Sequence, residues 1–231
     1  SLVGEGEKQI LSVTGANVTI IGLAFQNGLA SNGGNGVNVA ITGPGFHRIL
    51  FCLFSGGFST QFGGNLYVEG ADSVLVSRSI FEFGSADLGG AGAAFIDTRI
   101  VAIEASYFES NWAILEGGGI LVAYEALSED IPQSTSFIEN YFESNSAEMG
   151  GGFMLRDLGS SSRLLVMDCL FRGNLANFVG GAGGILSDSV SDSARILFTG
   201  NQGEDNDAEG LCPEFFATLA SGDAVCVELS K

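Results

Sequence analysis

The word FESN occurs twice in this chain, at Phe108–Asn111 and at Phe142–Asn145, and each copy is followed by a run of three glycines. A recurring word with a fixed downstream glycine cluster is typical of a structural repeat. Aligning the rest of the sequence on this word gives seven copies, spaced 27 to 34 residues apart. The phenylalanines that mark the copies are Phe25, Phe54, Phe81, Phe108, Phe142, Phe171 and Phe198.

Each copy contains two stretches with the alternating apolar pattern of a β-strand. One precedes the phenylalanine, as in HRILFCLF, and the other follows the glycines, as in GILVAY. No copy offers a capped segment of helix length. Parallel strands that recur without a crossover helix stack into a β-solenoid, with successive coils about 4.8 Å apart. We therefore predict an all-β, single-domain parallel β-helix (a β-solenoid) of about seven coils.

Stacked coils bring equivalent residues into ladders that run along the rod. The seven phenylalanines are expected to form an internal aromatic stack. Three residues after the phenylalanine, the later copies carry asparagine, which tolerates a left-handed corner and can hydrogen-bond from coil to coil. This predicted corner ladder contains Asn111, Asn145, Asn174 and Asn201. The early copies carry glycine at the same position.

These motifs resemble the repeats of the polymorphic outer-membrane proteins, which carry FxxN followed by GGA and an aliphatic residue. FESN, FESN, FRGN and FTGN match the first half, and GGGI at Gly117–Ile120, GGGF at Gly150–Phe153 and GGAGGI at Gly180–Ile185 match the second. The resemblance spans nearly the whole chain and implies a right-handed parallel β-helix, which is also the general preference of parallel crossovers. That family's passengers look like surface-displayed adhesins, and its C-terminal membrane barrel has no counterpart here.

The charge balance excludes several classes of partner. The chain has 9 Lys and Arg against 27 Asp and Glu, a formal net charge of −18. Nucleic acid is not expected as a partner, because neutralising phosphates needs a basic patch. No apolar run reaches the length of roughly 20 residues that a membrane span needs, and no signal peptide is recognisable, so membrane insertion is not expected either.

The four cysteines are of two kinds. Cys52 and Cys169 occupy equivalent positions four coils apart, about 19 Å, so they are expected to be buried free thiols. Cys212 and Cys226 enclose a short segment after the last copy, and we predict a disulfide between them. The alternative is a pair of free thiols.

The predicted disulfide would fix a cap over the open end of the rod. The expected organisation is therefore repeats over residues 1–202 and an acidic C-terminal cap over residues 203–231. A disulfide indicates an oxidising compartment, so we expect an extracellular or cell-surface location. Asn17 begins a sequon for N-glycosylation, which agrees with secretion.

The loops that lead from one copy to the next vary most in length, and the variable edge of a solenoid is its usual binding face. Arginines enter the following strands close by. The carboxylates that we predict to face a ligand at this edge are Asp97, Glu125, Asp157 and Asp188. The alternative is a solvated edge whose charges neutralise one another.

Few residues suit catalysis. The paired aspartates and the histidine-glycine motif of polygalacturonase-like enzymes are missing, and the single histidine, His47, suits a structural role. The acidic run GEDNDAEG could hold Ca²⁺ through Asp205, Asp207 and Glu209, although it lacks an EF-hand pattern. No motif requires a cofactor.

Two functions remain after these exclusions. We expect a non-catalytic extracellular protein, structural, adhesive or carbohydrate-binding, whose partners are polysaccharide or other proteins of a surface assembly. The alternative is a polysaccharide lyase or glycoside hydrolase acting at the acidic loop edge, where carboxylates and arginines would supply acid–base groups.

Overall fold

The computed structural model describes residues 1–4, 8–30, 34–125, 132–158, 162–186, 195–210, 212–218 and 224–227. Within these ranges the chain forms thirty-one β-strands and no helix, which confirms the all-β prediction. None of the described residues belongs to a helix that is long and apolar enough to span a bilayer.

The strands are short, because a corner follows every few residues. The first sixteen are β1 (Leu2–Val3), β2 (Leu11–Thr14), β3 (Thr19–Ile21), β4 (Ala24–Gln26), β5 (Leu29–Ala30), β6 (Val39–Thr42), β7 (Phe46–Leu50), β8 (Leu53–Ser55), β9 (Phe58–Ser59), β10 (Leu66–Glu69), β11 (Ser73–Ser77), β12 (Ile80–Glu82), β13 (Ser85–Ala86), β14 (Ala93–Ile96), β15 (Ile100–Glu104) and β16 (Tyr107–Glu109). The others are β17 (Trp112–Ala113), β18 (Ile120–Ala123), β19 (Ser134–Ile138), β20 (Tyr141–Glu143), β21 (Ser146–Met149), β22 (Phe153–Arg156), β23 (Arg163–Met167), β24 (Leu170–Arg172), β25 (Leu175–Val179), β26 (Gly183–Leu186), β27 (Arg195–Thr199), β28 (Gln202–Glu204), β29 (Asp207–Ala208), β30 (Phe215–Thr218) and β31 (Ala224–Val227).

The strands assemble into four sheets, named A to D here. Sheet A has the order β1-β4-β8-β12-β16-β20-β24-β28, sheet B β2-β6-β10-β14-β18-β22-β26-β30-β31, sheet C β3-β7-β11-β15-β19-β23-β27 and sheet D β5-β9-β13-β17-β21-β25-β29. The chain visits B, C, A and D in turn, so each circuit adds one parallel strand to every sheet. Of the described strands, only β31 pairs antiparallel, with β30. The result is a right-handed parallel β-solenoid of about six turns.

Phenylalanine rings from sheet A fill the middle of the solenoid. Neighbouring ring centroids lie 4.7–5.3 Å apart with nearly parallel planes. The stacked residues are Phe25, Phe54, Phe81, Phe108, Phe142 and Phe171, and all six are fully buried. Six members of the predicted stack are therefore confirmed.

The prediction that Phe198 is the seventh member of the stack is wrong. It pairs with Val166 in sheet C, whereas Gly203 takes the place opposite Phe171 in sheet A. The ring of Phe215 packs edge-on against Phe171, with centroids 5.1 Å apart, and caps the stack there. Phe198 lies against Phe215 from the side instead of extending the stack.

A ladder of asparagine amides runs along the corner between sheets A and D. Asn111, Asn145 and Asn174 lie in it as predicted, and each donates from Nδ2 to the Oδ1 of the next member. The ladder ends at Asn206, not at the predicted Asn201. The prediction of Asn201 is wrong for the same reason as that of Phe198, because both rest on the misaligned seventh copy.

A second polar ladder, at the corner between sheets C and A, contains Asn201. Each member after the first accepts a hydrogen bond from the backbone N–H of the member before it. The members are Cys52, Ser79, Ser106, Asn140, Cys169 and Asn201. Cys52 and Cys169 are buried free thiols, as predicted, and burial raises the pKa of Cys169 to about 12.

The predicted disulfide between Cys212 and Cys226 is present, with the Cα atoms 5.2 Å apart. Cys226 lies on β31, opposite Phe216 of β30. Parallel pairing continues up to Ala217, so the sheets extend beyond residue 202, the predicted last residue of the repeats.

Candidate binding surfaces

Arg156 lies at the centre of a charged cluster at the end of sheet B, which we name the acidic edge. Its guanidinium lies 3.1 Å from the Glu116 carboxylate and 3.7 Å from that of Asp157, and it also contacts Glu125. Arg156 ends β22, and Asp157 follows in the left-handed backbone conformation that turns the chain away. One arginine therefore contacts three carboxylates.

Glu116 and Tyr67, which lie at the acidic edge, are buried. Burial raises the pKa of the Glu116 carboxyl, although Arg156 acts in the opposite direction. The pKa of the Tyr67 hydroxyl is raised by burial first, then by Glu69, and more weakly by Glu125 and Asp97. Both groups therefore favour their protonated, neutral forms more than exposed groups would.

The structure brings together three of the four carboxylates that the sequence predicts at this edge. Glu125 and Asp157 contact Arg156, and Asp97 lies within electrostatic reach of Tyr67. Asp188 lies outside the described residues. Glu116 was not predicted to belong to this edge. The sequence gives little sign of it, because the equivalent position in the next turn is occupied by an uncharged residue, Met149.

The predicted Ca²⁺ ligands lie at the far end of the rod. Asp205 forms a left-handed corner, Asp207 begins β29, and Glu209 follows, all three exposed. Over the described ranges, no group of three or more His, Cys, Asp or Glu side chains is placed to hold a metal ion. The Ca²⁺ site stays a prediction.

His47 and Asn17 lie near the first turn. His47 is buried, its Nδ1 accepts a hydrogen bond from the Val18 N–H at 3.3 Å, and burial lowers its pKa. Asn17 is exposed, and its Oδ1 accepts from the Phe46 N–H at 2.8 Å. His47 is therefore a core residue, and glycosylation of Asn17 stays a prediction.

The outer surface of sheet A carries two parallel rows, and we name it the tyrosine–glutamate face. Because side chains alternate along a strand, the residues before and after each stacked phenylalanine point outward. The row before it is apolar or aromatic and contains Leu53, Ile80, Tyr107, Tyr141 and Leu170. The row after it is charged and contains Glu82, Glu109, Glu143, Arg172 and Glu204.

Tyr107 connects the two rows of this face. Its ring lies 5.7 Å from that of Tyr141, and its hydroxyl donates a hydrogen bond to the Glu143 carboxylate. Burial, and then the bond to Glu143, raise the pKa of Tyr107 to about 12. Tyr141 is 48% exposed, so one aromatic ring of the pair is offered to solvent.

The tyrosine–glutamate face ends in a cavity of about 420 Å³. It is lined by Leu170, Gln202, Gly203, Glu204 and Asp205, which combine an apolar wall with amide and carboxylate groups. Arg172 borders it through ion pairs with Glu204 at 3.5 Å and Glu143 at 3.9 Å. This mixture of an apolar wall with a few polar groups is typical of ligand sites.

The tyrosine–glutamate face is absent from the sequence predictions, although the sequence contains the signal for it. The stacked phenylalanines mark sheet A, and period-two alternation then places both of their neighbours on the outside. In the repeated word YFE, at Tyr107–Glu109 and Tyr141–Glu143, the tyrosine belongs to the aromatic row and the glutamate to the charged row.

No protein-family model matches the chain, and comparison with curated proteins and with solved structures gives no match either. The likeness to outer-membrane repeats therefore stays a sequence resemblance, beside the parallel β-solenoid that the structure shows. Function has to be argued from the surfaces themselves.

Proposed function

We propose that this protein is a non-catalytic extracellular carbohydrate-binding β-helix, and that the tyrosine–glutamate face is its binding surface. The ligand is a neutral or amino-bearing polysaccharide that lies along the rod, across the strands of sheet A. The observation that carries the proposal is the pair of parallel aromatic and carboxylate rows leading to the 420 Å³ cavity.

The chemistry of the two rows suits this class of ligand. An exposed tyrosine presents an apolar ring to the CH face of a sugar while its hydroxyl remains available for hydrogen bonding. Carboxylates accept hydrogen bonds from sugar hydroxyls and attract ammonium groups. The strand spacing of about 4.8 Å is close to the length that one hexose adds to an extended chain, so successive strands can contact successive sugars.

The charge of the face decides between polymers. Glu82, Glu109 and Glu143 stand in register on neighbouring strands. An acidic polysaccharide would be repelled by this row and by the net charge of −18. A neutral or cationic polymer meets no such repulsion.

The test is affinity electrophoresis and calorimetry with neutral, amino-bearing and acidic polysaccharides. We expect binding to one of the first two classes, and a Tyr141→Ala variant that binds at least tenfold more weakly, about 1.4 kcal/mol. Phe178→Ala is the matched control, because Phe178 is an exposed aromatic residue on sheet D, 57% exposed. Absence of binding to all polymers, or equal loss in both variants, would refute the proposal.

An extracellular location and a role in a surface assembly belong to the same proposal. The disulfide between Cys212 and Cys226 agrees with an oxidising compartment. A rod whose exposed flank binds polymer along its length also suits adhesion, because several weak contacts on one ligand add up to firm attachment.

A second candidate function is cleavage of a polysaccharide at the acidic edge. One observation favours it, the raised pKa of buried Glu116 beside the exposed carboxylates of Glu125 and Asp157. A carboxyl group with a raised pKa close to a second carboxyl group is the pairing that glycosidases use. Release of sugar from a polysaccharide panel, abolished by Glu116→Gln and retained in Tyr141→Ala, would establish it. No release from any substrate would exclude it.

A further inference from the structure

Sheet C exposes an outer face that combines apolar residues with serines and arginines. Its strands from β7 to β23 are each five residues long and lie in register. The apolar residues on this face are Ile21, Phe46, Leu50, Leu75, Ile100, Ala102, Ile138, Leu165, Met167 and Leu197. Arg48 and Arg163 lie among them. Among the outward positions of β7, β11, β15, β19 and β23, Glu104 is the only acidic residue.

The other wide sheets differ from sheet C. The outer face of sheet B is covered by the protein's own chain, so that Tyr67, Leu121 and Met154 are buried there. Sheet A carries the carboxylate row. In a protein with a net charge of −18, an uncovered sheet face that is rich in apolar residues and nearly free of acidic ones indicates a contact surface.

The charges that border this face form a self-complementary pattern. β11 is preceded by Asp72 and followed by Arg78. β23 has the opposite order, because it begins at Arg163 and is followed by Asp168. A two-fold axis that runs across the strands places the start of each strand opposite the end of the same strand in the second copy. It therefore pairs Asp72 with Arg78 and Arg163 with Asp168. A two-fold axis that runs along the strands places β11 opposite β23 of the second copy. It therefore pairs Asp72 with Arg163 and Arg78 with Asp168.

These border charges are available for such pairing. The ion pairs of the described chain all involve Arg156 or Arg172, which lie on other sheets. Arg78 stacks on the exposed ring of Phe51, 5.5 Å from its centroid, which leaves its guanidinium edge open.

We infer that sheet C is the interface of a homodimer, and that its occupant is sheet C of a second copy related by a two-fold axis. A two-fold interface joins the same patch of both subunits, so a self-complementary charge border is what it requires. Each face is about 17 Å by 30 Å, from the five residues of its longer strands and the spacing of its seven strands. Two such faces bury about 1,000 Å², which reaches the lower limit of specific interfaces.

The expected contacts follow from this geometry. Leu75 and Leu165 lie in the middle row of the sheet, so they meet the middle row of the second copy at the centre of the interface. Sheets that pack face to face interdigitate such side chains about 10 Å apart. The Asp and Arg residues of the border then seal the rim.

The first test is sedimentation equilibrium of the full chain at about 0.15 M salt, where repulsion between the acidic flanks is screened within about 8 Å. We expect a concentration-dependent dimer whose Kd rises at least tenfold in Leu165→Glu. Ile80→Glu, an outward aliphatic position on sheet A, is the matched control and leaves the dimer intact. Ser136→Arg, in the same middle row, serves if Leu165→Glu fails to fold.

A charge-reversal series supplies the second test. Arg163→Glu weakens the dimer, and either Asp168→Arg or Asp72→Arg restores it, which also tells which two-fold arrangement is present. A wild-type protein that stays monomeric at about 1 mM, or a dimer indifferent to Leu165→Glu and Ser136→Arg, overturns the inference. Failure of both rescues overturns the charge pairing.

Discussion

The asparagine ladder shows how single residues keep the solenoid corner satisfied although the repeat changes. In the first turns Asn38 and Asn65 follow the glycines, and each amide oxygen accepts from a glycine N–H of its own turn. From Asn111 onward the asparagine stands three residues after phenylalanine and reaches back one turn, so that Asn111 Oδ1 accepts from the Gly84 N–H. The amide of Asn111 thus serves the turn that has no asparagine of its own, and the ladder has no gap.

Replacing Asn111 with alanine is expected to cost about 2–6 kcal/mol of unfolding free energy. The change orphans the buried N–H of Gly84 and the C=O of Phe81, and each unsatisfied buried group costs about 1–3 kcal/mol. Chemical denaturation measures the loss. Asn177→Ala, at an exposed position on β25, is the control and is expected to change stability by less than about 0.5 kcal/mol. A loss below about 1 kcal/mol in Asn111→Ala contradicts the role given to the ladder.

His47 gives the fold a pH dependence with a definite sign. Burial lowers the pKa of His47 in the folded chain, so below about pH 6.5 the unfolded chain binds a proton that the folded chain resists. Stability is therefore expected to fall as the pH drops through this range. Since the chain has one histidine, the difference between wild type and His47→Val isolates the effect. Between pH 7.5 and 5.5, the melting temperature is expected to fall more steeply in wild type than in His47→Val. Equal slopes would contradict the prediction.

At the level of elements, the stacked strands of sheet A depend on their phenylalanines. Phe108→Ala is expected to destabilise the protein by about 3–5 kcal/mol, because the fully buried ring leaves a cavity between two stacked neighbours. Phe108→Leu should cost less, since it fills part of that space. Phe178→Ala, at a 57% exposed position, is the matched control in denaturant unfolding. Similar losses of unfolding free energy in Phe108→Ala and Phe178→Ala would show that the phenylalanine stack does not stabilise sheet A.

The elements were predictable from the sequence wherever a word repeats with its register. FESN, FRGN and their glycines predict the sheet A strands, the stack to Phe171 and the ladder at Asn174, because stacking repeats side chain and backbone together. FTGN misled because Phe198 copies the letters but belongs to sheet C, five positions before the expected column. Only tertiary packing reveals this, through the ring of Phe215, which arrives from the C-terminal segment to cap the stack.

The candidate sites were predictable in part for similar reasons. Loop position brought Asp97, Glu125 and Asp157 to one edge, because equivalent loops of a solenoid leave on one side. Glu116 could not be found this way, since its burial depends on the segment that folds over sheet B. The tyrosine–glutamate face needed only the alternation around Phe108 and Phe142, which the sequence already contained.

For the whole molecule, the solenoid architecture makes stability local. Each strand of a sheet hydrogen-bonds only the strands of the neighbouring turns, so a loss at one end need not reach the other. The C-terminal end is held by the Cys212–Cys226 disulfide, which closes a loop with a sequence separation of 14. In the chain-entropy model, a disulfide that closes a loop of this size raises the free energy of unfolding by about 3 kcal/mol. The backbone carbonyls of Cys212 and Glu214 accept from the N–H groups of Gly180 and Gly183, so the disulfide protects the last turn directly.

Cys226→Ser is therefore expected to accelerate amide exchange at Gly180, Gly183 and β30 by up to about a hundredfold, which corresponds to about 3 kcal/mol. Exchange in β10 and β14, several turns away, should not change. Hydrogen exchange read by mass spectrometry measures both regions in one experiment. Cys52→Ser is the control, because serine already occupies the same ladder at Ser79 and it leaves the C-terminal end untouched. Equal acceleration along the whole rod would show one cooperative unit instead of a stack of separable turns, and no acceleration at Gly180 would show that the end is held without the disulfide.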